Sequence, residues 1–415
     1  MKKELICVYL ADFIMGGIES YYIRMFEWGQ KQGYDLSLVI LYGNNIHQNW
    51  ISDLKKYNVN IAYYKVGIIN NYIIDSIGKK RTFETNKEYQ VIVTDIHAYL
   101  KMQLIREREE LKKMSVLLYS FTPTNGVGSV KRWLNQPFQP FFDRMSKSAL
   151  VMMDEECKLY CEQYNNITIK DNFIKRLGIR IPDYNEEYTR KRIKSRREGF
   201  TILSISRMDF PFKGYVLGLL DTYEELKTIY PMLKLIIVGD GPDRKSVHDK
   251  MFKMEEKFQK DIKWINELSY EELNSILQEA HLYIGMGTTL LDSALTNLIS
   301  VVATANQYGD TTPGLFIDNI NNVSGNINIS SKREGYFKDY IRKVIGLSDE
   351  EYYALSKKTY DMVKNEYNIE IVMSQIMKQY SFLSFQEAKF KVLRIYTNLF
   401  AAHKYWKKDR KNDKK

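Results

Sequence analysis

Thr201-Ile-Leu-Ser-Ile-Ser-Arg-Met-Asp-Phe-Pro-Phe-Lys-Gly214 opens the part of the chain that determines its fold. Two later stretches repeat its pattern, Leu235-Ile-Ile-Val-Gly-Asp-Gly-Pro242 and Tyr283-Ile-Gly-Met-Gly-Thr-Thr-Leu-Leu-Asp-Ser-Ala-Leu295. Each begins with an apolar run typical of a buried strand, then breaks into a loop, then shows a helical pattern. We therefore expect all three loops to emerge at one edge of a parallel sheet, the edge at which open α/β sheets bind ligands.

The first of these loops carries two cations close to a helix start. Arg207 and Lys213 leave the strand six residues apart, and Gly214 opens the next helical pattern. Two cations beside free helical N–H groups suit an anion such as phosphate. The third loop repeats this arrangement at Gly287, Thr288 and Thr289, where amides and small hydroxyls can approach a phosphate.

Asp292 lies one helical turn beyond that glycine. Its carboxylate disfavours phosphate but accepts hydrogen bonds from sugar hydroxyls. The combination of cations, helix starts and one carboxylate predicts a site for a nucleotide sugar.

Together these motifs resemble the donor domain of GT-B glycosyltransferases of the family 4 type. The resemblance rests on the order strand, Arg207, Lys213-Gly214, helix, then Ile-Val-Gly-Asp-Gly-Pro242, then the Gly-containing loop with its acidic residue. It covers about residues 5 to 383. It implies an α/β chain of two Rossmann-like, doubly wound domains that face each other across a cleft, followed by a C-terminal helical extension. A lone Gly-Asp-Gly-Pro would indicate only an ordinary turn.

The sequence departs from the family at one functional position. Family members carry two glutamates eight positions apart around the third loop, and here those positions are Ile284 and Asp292. In the family the first glutamate helps to hold the donor sugar, so its absence leaves the identity of the sugar open. The second holds the ribose, a role that Asp292 can keep. Gly239 belongs to the expected donor site, and the segment Trp264–Leu268 frames the nucleobase in the family.

Length and composition support two globular domains. The chain has 415 residues, which is longer than one hydrophobic core normally supports. Of these residues 44% are hydrophobic and 27% are charged, as in globular proteins. We expect an acceptor domain at residues 1–185, a linker at 186–199, a donor domain at 200–365, and a closing helix with a tail at 366–415. The first apolar run is interrupted by Glu4 and Asp12, which favours a buried strand over a signal peptide. We therefore expect a cytoplasmic protein.

The first domain shows strand patterns alternating with helices, as in a doubly wound sheet. After its first strand come Gly16 and Gly17, which match the family's Gly-Gly-x-Glu loop at the cleft. Without that match, a plain tight turn would explain them equally well. His97 follows a later strand and is a candidate for contact with substrate, although a lone histidine is more often structural. The loop 120–128 resembles an acceptor loop in its polarity.

Other features favour ordinary structural explanations. Asp154-Glu155-Glu156 resembles a metal cluster but is explained by an acidic helix N-terminus, and we expect no metal and no cofactor. Cys7, Cys157 and Cys161 are too few for a disulfide framework. Six of the eight residues 190–197 are basic. A solvated linker explains this run better than a nucleic-acid site, because no nucleic-acid fold accompanies it.

Positive charge is concentrated at the end of the chain. From Gln386 to Lys415 there are ten Lys/Arg and three Asp/Glu, giving +7 of the net +10, and apolar residues recur at helical spacing between Ala388 and Trp406. Such a helix can lie on an anionic membrane surface. Equally, its apolar face can pack on the first domain and leave the last residues as a solvated tail.

The resemblance implies a metal-independent, retaining transfer from a nucleoside-diphosphate sugar, with UDP expected rather than GDP, to a saccharide or polyprenyl-linked glycan. Bacterial capsule, exopolysaccharide or lipopolysaccharide assembly is the expected setting, with the protein cytoplasmic or peripheral on the inner membrane face. Arg207 and Lys213 are then the catalytic cations. A non-catalytic partner subunit of the same fold is the alternative. A sugar-nucleotide epimerase would need an acid/base set for which the sequence offers little beyond His97.

Overall fold

The computed structural model describes most of the chain. The described residues are 3–14, 16–65, 72–94, 96–120, 150–155, 157–159, 162, 168, 174–266, 268, 270–325 and 335–379, with the side chains at 96, 97, 100, 270, 271 and 379 left out. Contacts between α-carbons divide the chain into two compact units. Unit 1 comprises the described residues up to Gly178 together with those from Ile369 onward, and unit 2 is Ile179–Asn368.

Unit 1 is built on a seven-stranded sheet with the order β4-β3-β2-β1-β5-β6-β7. All neighbouring strands run parallel except β3 and β4, which pair antiparallel. The strands are β1 Lys3–Tyr9, β2 Asp35–Ile40, β3 Asn60–Lys65, β4 Tyr72–Asp75, β5 Glu88–Val93, β6 Met114–Ser120 and β7 Leu150–Met152. The described helices of this unit are α1 Gly17–Lys31, α2 Gln48–Lys56, α3 Ile96–Arg108 and, from the end of the chain, α12 Ile369–Gln379.

Unit 2 holds a six-stranded sheet with the order β10-β9-β8-β11-β12-β14 and a two-stranded ribbon of β13 and β15. Only the β12–β14 pair of the larger sheet is antiparallel. Its strands are β8 Phe200–Ile205, β9 Leu233–Val238, β10 Ile262–Ile265, β11 Leu282–Gly285, β12 Ser300–Val302, β13 Thr311–Thr312, β14 Gly314–Leu315 and β15 Gly335–Tyr336. Its helices are α4 Glu186–Ser195, α5 Tyr215–Ile229, α6 Arg244–Lys253, α7 Glu256–Gln259, α8 Tyr270–Glu279, α9 Thr288–Leu295, α10 Phe337–Ile345 and α11 Asp349–Glu366, with a 3-10 turn at Phe316–Asp318.

The central strands form because their apolar runs are covered on both faces. Leu5, Ile6, Cys7 and Val8 of β1 are fully buried, and Leu235 and Ile237 of β9 are fully buried too. Continuous apolar strands of this kind are typical of parallel sheets with helices on each side. The α/β, doubly wound architecture expected from the sequence is therefore present in each unit.

The basic stretch 186–199 differs from the solvated linker expected from its charges, because residues Glu186–Ser195 form helix α4. Arg192 is fully buried there. Its guanidinium donates to the carbonyl oxygen of Thr296 (2.5 Å) and of Leu277 (2.6 Å). Arg190 and Lys191 lie on the exposed face, where they pair with acidic residues one turn earlier. Arg196, just beyond the helix, is largely buried and donates to the Leu347 carbonyl oxygen.

Two smaller expectations concern the first unit. Asp154 accepts a hydrogen bond from the Cys157 N–H (2.7 Å), which confirms the acidic cluster as a helix N-terminus. Cys7 and Cys157 are buried free thiols. Cys161, the loop 121–128 and the tail 386–415 lie outside the described residues. Within the described part, no helix is both long and apolar enough to span a bilayer.

Candidate functional site

The sheet of unit 2 reverses its winding between two adjacent strands. The chain proceeds from β8 to β9 and β10 on one side, and then returns to β11 and β12 on the other. Loops that leave β8 and β11 therefore flank a topological switch point at the carboxyl edge, where ligands of such sheets bind. These loops are residues 206–214 and 286–287, the two that the sequence analysis singled out.

Hydrogen bonds from neighbouring loops hold the loop 206–214 in place. The Phe210 N–H donates to Asp243 Oδ2 (2.8 Å). On its other side, the Asn306 N–H donates to the carbonyl oxygen of Phe212 (3.1 Å). The loop is thus fixed at both flanks, so the side chains that it carries are oriented before any ligand arrives.

Lys213 reaches from this loop to the start of the next one. Its Nζ donates to the Met286 carbonyl oxygen (3.5 Å), and a Cβ added to Gly287 would lie 3.9 Å from the same nitrogen. Among the residues that the structure describes, none forms an ion pair with this ammonium. Burial lowers the pKa of Lys213 to about 7, because a half-buried cation without a counter-ion is costly to keep charged. Such a group is suited to receive an anion.

Gly287 opens helix α9 in a conformation that favours glycine. Its φ is +81°, a region that residues with a Cβ rarely adopt. As the N-cap residue it has no side chain to satisfy the first N–H groups of the helix. Gly214 likewise leaves the N-terminus of α5 without a side-chain cap. Two uncapped helix N-termini, each with a partial positive charge, therefore open at the same sheet edge as Lys213.

The two threonines after Gly287 differ in their surroundings. The Thr289 hydroxyl shares a 2.6 Å hydrogen bond with the buried Tyr283 hydroxyl, so it has an internal partner. Thr288 is half-buried, and its hydroxyl has no hydrogen-bond partner among the described residues. Asp292 is half-buried one turn along α9. Burial raises the pKa of Tyr283 well above its usual value, and the nearby charge of Asp292 adds to this effect.

Arg207 is exposed on the loop that carries Lys213. Within the described part of the chain, its guanidinium has no carboxylate partner. Of the two predicted cations, Lys213 is therefore built into the edge of the sheet, and Arg207 stands in solvent on the same loop.

Gly239 lies directly after β9 and is packed between loops. Its N–H donates to the Ile265 carbonyl oxygen (2.8 Å), and its α-carbon faces the Ser206 carbonyl so closely that a Cβ would collide with it. The structure thus gives Gly239 a packing role at the carboxyl edge. Beside it lies a cavity of about 450 Å³, lined by Gly241, Pro242, Arg244, Lys245 and His248.

An aromatic pair lies at one end of this cavity. The His248 ring lies 4.4 Å from the Trp264 ring, centroid to centroid. Trp264 belongs to β10, in the segment that the family uses to frame a base. Flat rings beside a cavity on the same sheet edge as Lys213 suit a nucleobase.

Ile284, at the position of the family's first glutamate, is a core residue of β11. It is fully buried and pairs in register with Val301 of β12. The missing carboxylate is therefore replaced by an apolar side chain in the sheet interior.

In unit 1 the paired glycines also lie at a switch point, because β1 adjoins β5 on one side and β2 on the other. Gly16 precedes α1 and Gly17 is its first residue. The carboxylate of Glu19 occupies the space beside Gly16 that a Cβ would need. The Tyr9 hydroxyl donates to Glu19 Oε1. Burial, reinforced by this hydrogen bond, raises the pKa of Tyr9. Glu19 is thus a structural member of this edge that the site prediction omitted, although the Gly-Gly-x-Glu pattern contains it.

His97 is the second residue of α3, which starts just after β5. Its backbone therefore lies at the same carboxyl edge as Gly16. Its side chain is outside the description.

One further buried charge, Lys101 of α3, was not predicted from the sequence. It is 1% exposed, and its Nζ lies over the Tyr64 ring at 4.5 Å and the Tyr42 ring at 5.4 Å. The ammonium has no hydrogen-bond partner among the described residues, and burial lowers the pKa of Lys101 to about 8. A lysine in a helical sequence pattern is usually expected to be exposed, so the burial of Lys101 is visible only in the structure.

In the described part of the chain, no group of three or more His, Cys, Asp or Glu side chains is placed to hold a metal ion.

Comparison with known proteins shows the fold. No family model and no curated protein matches the sequence, whereas many solved structures match the fold. The Anabaena protein HepE in complex with UDP and glucose has a TM-score of 0.59 at 10% identity, over 92% of this chain and 100% of that chain. A variant of TarM from S. aureus, in complex with UDP, fondaparinux and alpha-GlcNAc-glycerol, has a TM-score of 0.56 at 11% identity, over 92% and 100%. A glycosyltransferase from Rickettsia africae has a TM-score of 0.56 at 13% identity, over 91% and 98%.

These similarities extend over nearly the whole of each chain and confirm the predicted fold class, the α/β GT-B fold. At such low identity they define the architecture alone.

Proposed function

We propose that this chain is a glycosyltransferase that moves a sugar from a nucleoside-diphosphate sugar to a saccharide or lipid-linked saccharide. The observation that carries the proposal is the Lys213 ammonium, held beside the Gly287 start of α9 without an anionic partner among the described residues. As the glycosidic bond to phosphate breaks, negative charge develops on the leaving diphosphate. A fixed ammonium and free helical N–H groups stabilise that charge, which is the main physical task of such a transfer.

The other residues of unit 2 have separate roles in this proposal. Arg207 supplies a second cation from the same loop, and the amides of Thr288 and Thr289 add donors. The Gly287 N–H already donates to the Val323 carbonyl oxygen (2.7 Å). Asp292 accepts hydrogen bonds from the ribose. The cavity beside Gly239 takes the base. Charge stabilisation by these groups requires no metal ion.

Unit 1 binds the acceptor, with Gly16, Gly17 and His97 at its carboxyl edge. We further propose that the transfer retains the anomeric configuration and serves capsule, exopolysaccharide or lipopolysaccharide assembly. The basic segment 386–415 attaches the protein to the inner face of the plasma membrane. The resemblance of the motifs to family 4 supports the acceptor, the retention and the setting. The positive charge concentrated in 386–415 supports the membrane contact.

The structural neighbours support a uridine nucleotide. HepE was crystallised with UDP-glucose as well as with UDP and glucose, and TarM with UDP. Each has this fold over 92% of the present chain. We therefore propose UDP-sugars ahead of GDP-sugars as donors.

A donor screen tests the proposal directly. Thermal shift with UDP, GDP and the common sugar nucleotides should identify at least one stabilising ligand, because a ligand at a hundred times its Kd adds about 2.7 kcal/mol. Lys213→Met should abolish that shift. Lys234→Met, a change of an exposed lysine in β9, should leave it intact. If no nucleotide or sugar nucleotide stabilises the wild-type protein, the proposal is wrong.

One observation favours a second candidate, a non-catalytic subunit of the same fold. Ile284 places an apolar side chain where the family has a carboxylate, and it is fully buried. A subunit of this kind would bind saccharide or another transferase, and neither UDP nor GDP. The same screen separates the two functions.

A further inference from the structure

Two exposed aromatic side chains lie near Lys213, one beside its ammonium and one beside the next residue, Gly214. Phe212 is 45% exposed and Tyr308 is 54% exposed, although large aromatic side chains usually contribute their area to a core. The Lys213 Nζ lies 5.2 Å from the centre of the Phe212 ring. Tyr308 packs on Gly214, because a Cβ there would lie 2.9 Å from its Cδ1. Phe212 is thus an immediate neighbour of the cation, and Tyr308 is a neighbour of the residue that follows Lys213.

The exposure of these rings is not a consequence of a loosely held loop. The backbone of Phe212 accepts a hydrogen bond from the Asn306 N–H (3.1 Å), which joins the two loops that carry the rings. The Tyr308 ring meets Phe210 edge to face, with 5.9 Å between centroids and an interplanar angle of 89°. Rigid apolar surfaces that face solvent are typical of ligand contacts, since a preorganised surface loses little entropy on binding.

We propose that Phe212 and Tyr308 form an aromatic platform for the sugar ring of the nucleoside-diphosphate sugar. This inference rests on the proposed function and assigns one further property, the way in which the donor sugar is recognised. The platform supplies an apolar surface at a site whose Ile284 position offers no carboxylate to the sugar.

The distances support a sugar as the occupant. A phosphate oxygen that accepts a hydrogen bond from Nζ lies about 2.9 Å from it. The sugar is joined to that phosphate through a single ester oxygen. Its ring can therefore lie about as far from Nζ as the Phe212 ring does, which is 5.2 Å. One face of a pyranose presents polarised C–H groups, which the electron-rich face of an aromatic ring attracts. The Tyr308 hydroxyl adds a donor and acceptor for sugar hydroxyls.

A membrane surface fits this patch less well. Asp209 is exposed on the loop of Phe212, and Asp310 is half-buried two residues beyond Tyr308. Carboxylates beside the rings are repelled by anionic lipid. A neutral ligand that carries hydroxyl groups is not repelled by these carboxylates.

Calorimetry on the full-length protein tests the platform. The probes are UDP with UDP-glucose, UDP-galactose and UDP-N-acetylglucosamine, and GDP with GDP-mannose. The measured quantity is the ratio of the Kd of the nucleoside diphosphate to that of its best sugar conjugate. For Phe212→Ala and Tyr308→Ala we expect this ratio to fall by about fivefold or more, a typical effect of losing one aromatic contact. The Kd of the diphosphate itself should change by less than about twofold, a difference well below 1 kcal/mol.

Conservative and remote variants distinguish stacking from general damage. Phe212→Tyr should restore the wild-type ratio, whereas Phe212→Leu should not, because leucine is apolar but has no ring face. Phe252→Ala removes a phenylalanine that is 74% exposed in the last turn of α6, and it should leave the ratio unchanged.

The outcomes separate this inference from the proposed function. If wild-type protein binds neither UDP nor GDP, the proposed function fails and this inference with it. If it binds a diphosphate but neither platform variant changes the ratio, only this inference fails. Loss of binding to phosphatidylglycerol vesicles in both variants, with an unchanged ratio, would assign the rings to a lipid surface and also overturn it.

Discussion

The Nζ of Lys213 lies 3.5 Å from the carbonyl oxygen of Met286. This contact joins the loop after β8 to the loop after β11, and it places an ammonium against the start of α9. It is the physical basis of the proposed diphosphate site, because it brings a cation to the start of α9, which has no side-chain cap.

Removal of either cation should impair transfer far more than stability. We expect Arg207→Ala and Lys213→Ala each to lower turnover by about a hundredfold or more, the usual effect of losing one electrostatic donor at a transition state. Steady-state rates with the donor found in the screen would measure this, with circular dichroism as a check of the fold. Near-normal turnover in both variants would exclude the assignment.

Nucleotide binding should be coupled to proton uptake. In the free protein the pKa of Lys213 is lowered to about 7 by burial, and a bound diphosphate stabilises the charged form. Affinity should therefore be constant below pH 7 and fall as the pH rises above it. Calorimetry in HEPES and in Tris at pH 8 should give binding enthalpies that differ in proportion to the buffers' ionisation enthalpies. Lys213→Arg keeps the charge and should remove the difference; equal enthalpies for the wild-type protein would disprove the coupling.

Lys101 should reduce stability at neutral pH. Its pKa of about 8 in the folded protein lies below the unfolded value of about 10.4, so the unfolded chain binds more protons between these limits and stability rises with pH there. Lys101→Met should thus stabilise unit 1 by up to about 3 kcal/mol at pH 7, and by little near pH 10.5. Urea unfolding at the two pH values measures this. Lys112→Met, which alters an exposed lysine, serves as the control and should show no such pH dependence.

His281 should make unit 2 sensitive to acid. Its Nδ1 accepts a hydrogen bond from the Thr201 N–H (2.9 Å) and its Nε2 lies 2.9 Å from Ser195 Oγ. Burial, aided by nearby arginines, lowers its pKa to about 4. As the pH falls, His281 therefore gains a proton in the unfolded chain before it does so in the folded protein. The stability present above about pH 6.5 is lost as the pH falls towards 4, by up to about 3 kcal/mol.

Acid unfolding curves of His281→Gln test this. The variant should be less stable at pH 7 and show a weaker pH dependence between 6.5 and 4. His47→Asn changes an exposed histidine whose Nδ1 accepts a hydrogen bond at the N-cap of α2, and asparagine keeps a side-chain acceptor there. This variant should keep the wild-type pH dependence. An unchanged dependence in His281→Gln would contradict the assignment.

The sequence predicted the central strands and the loops of unit 2 because their signals are local. The apolar run that opens the stretch Leu235–Pro242 lies in β9, and Arg207, Lys213 and Gly287 all lie at the carboxyl edge. It did not predict β4, a four-residue antiparallel strand at the edge of the sheet. Short edge strands carry too few apolar positions for a clear pattern.

Helix α4 was missed for a different reason. A run of six basic residues is typical of a solvated segment, and nothing in it shows that Arg196 turns inward or that Arg192 is fully buried. Its partners, the carbonyl groups of Thr296 and Leu277, are remote in sequence. The internal hydrogen bond of Thr289 could not be predicted from its position beside Gly287 either. It depends on how the loop brings Thr289 to the hydroxyl of Tyr283.

The burial of Arg192 has an electrical consequence for the opposite end of α9. Its guanidinium binds the carbonyl oxygen of Thr296, the C-cap residue of that helix. The negative pole of the helix is thus neutralised inside the protein, whereas the positive pole at Gly287 has no side-chain cap. The negative end of the helix dipole is therefore compensated within the fold, whereas the positive end remains available to an anion that binds at Gly287.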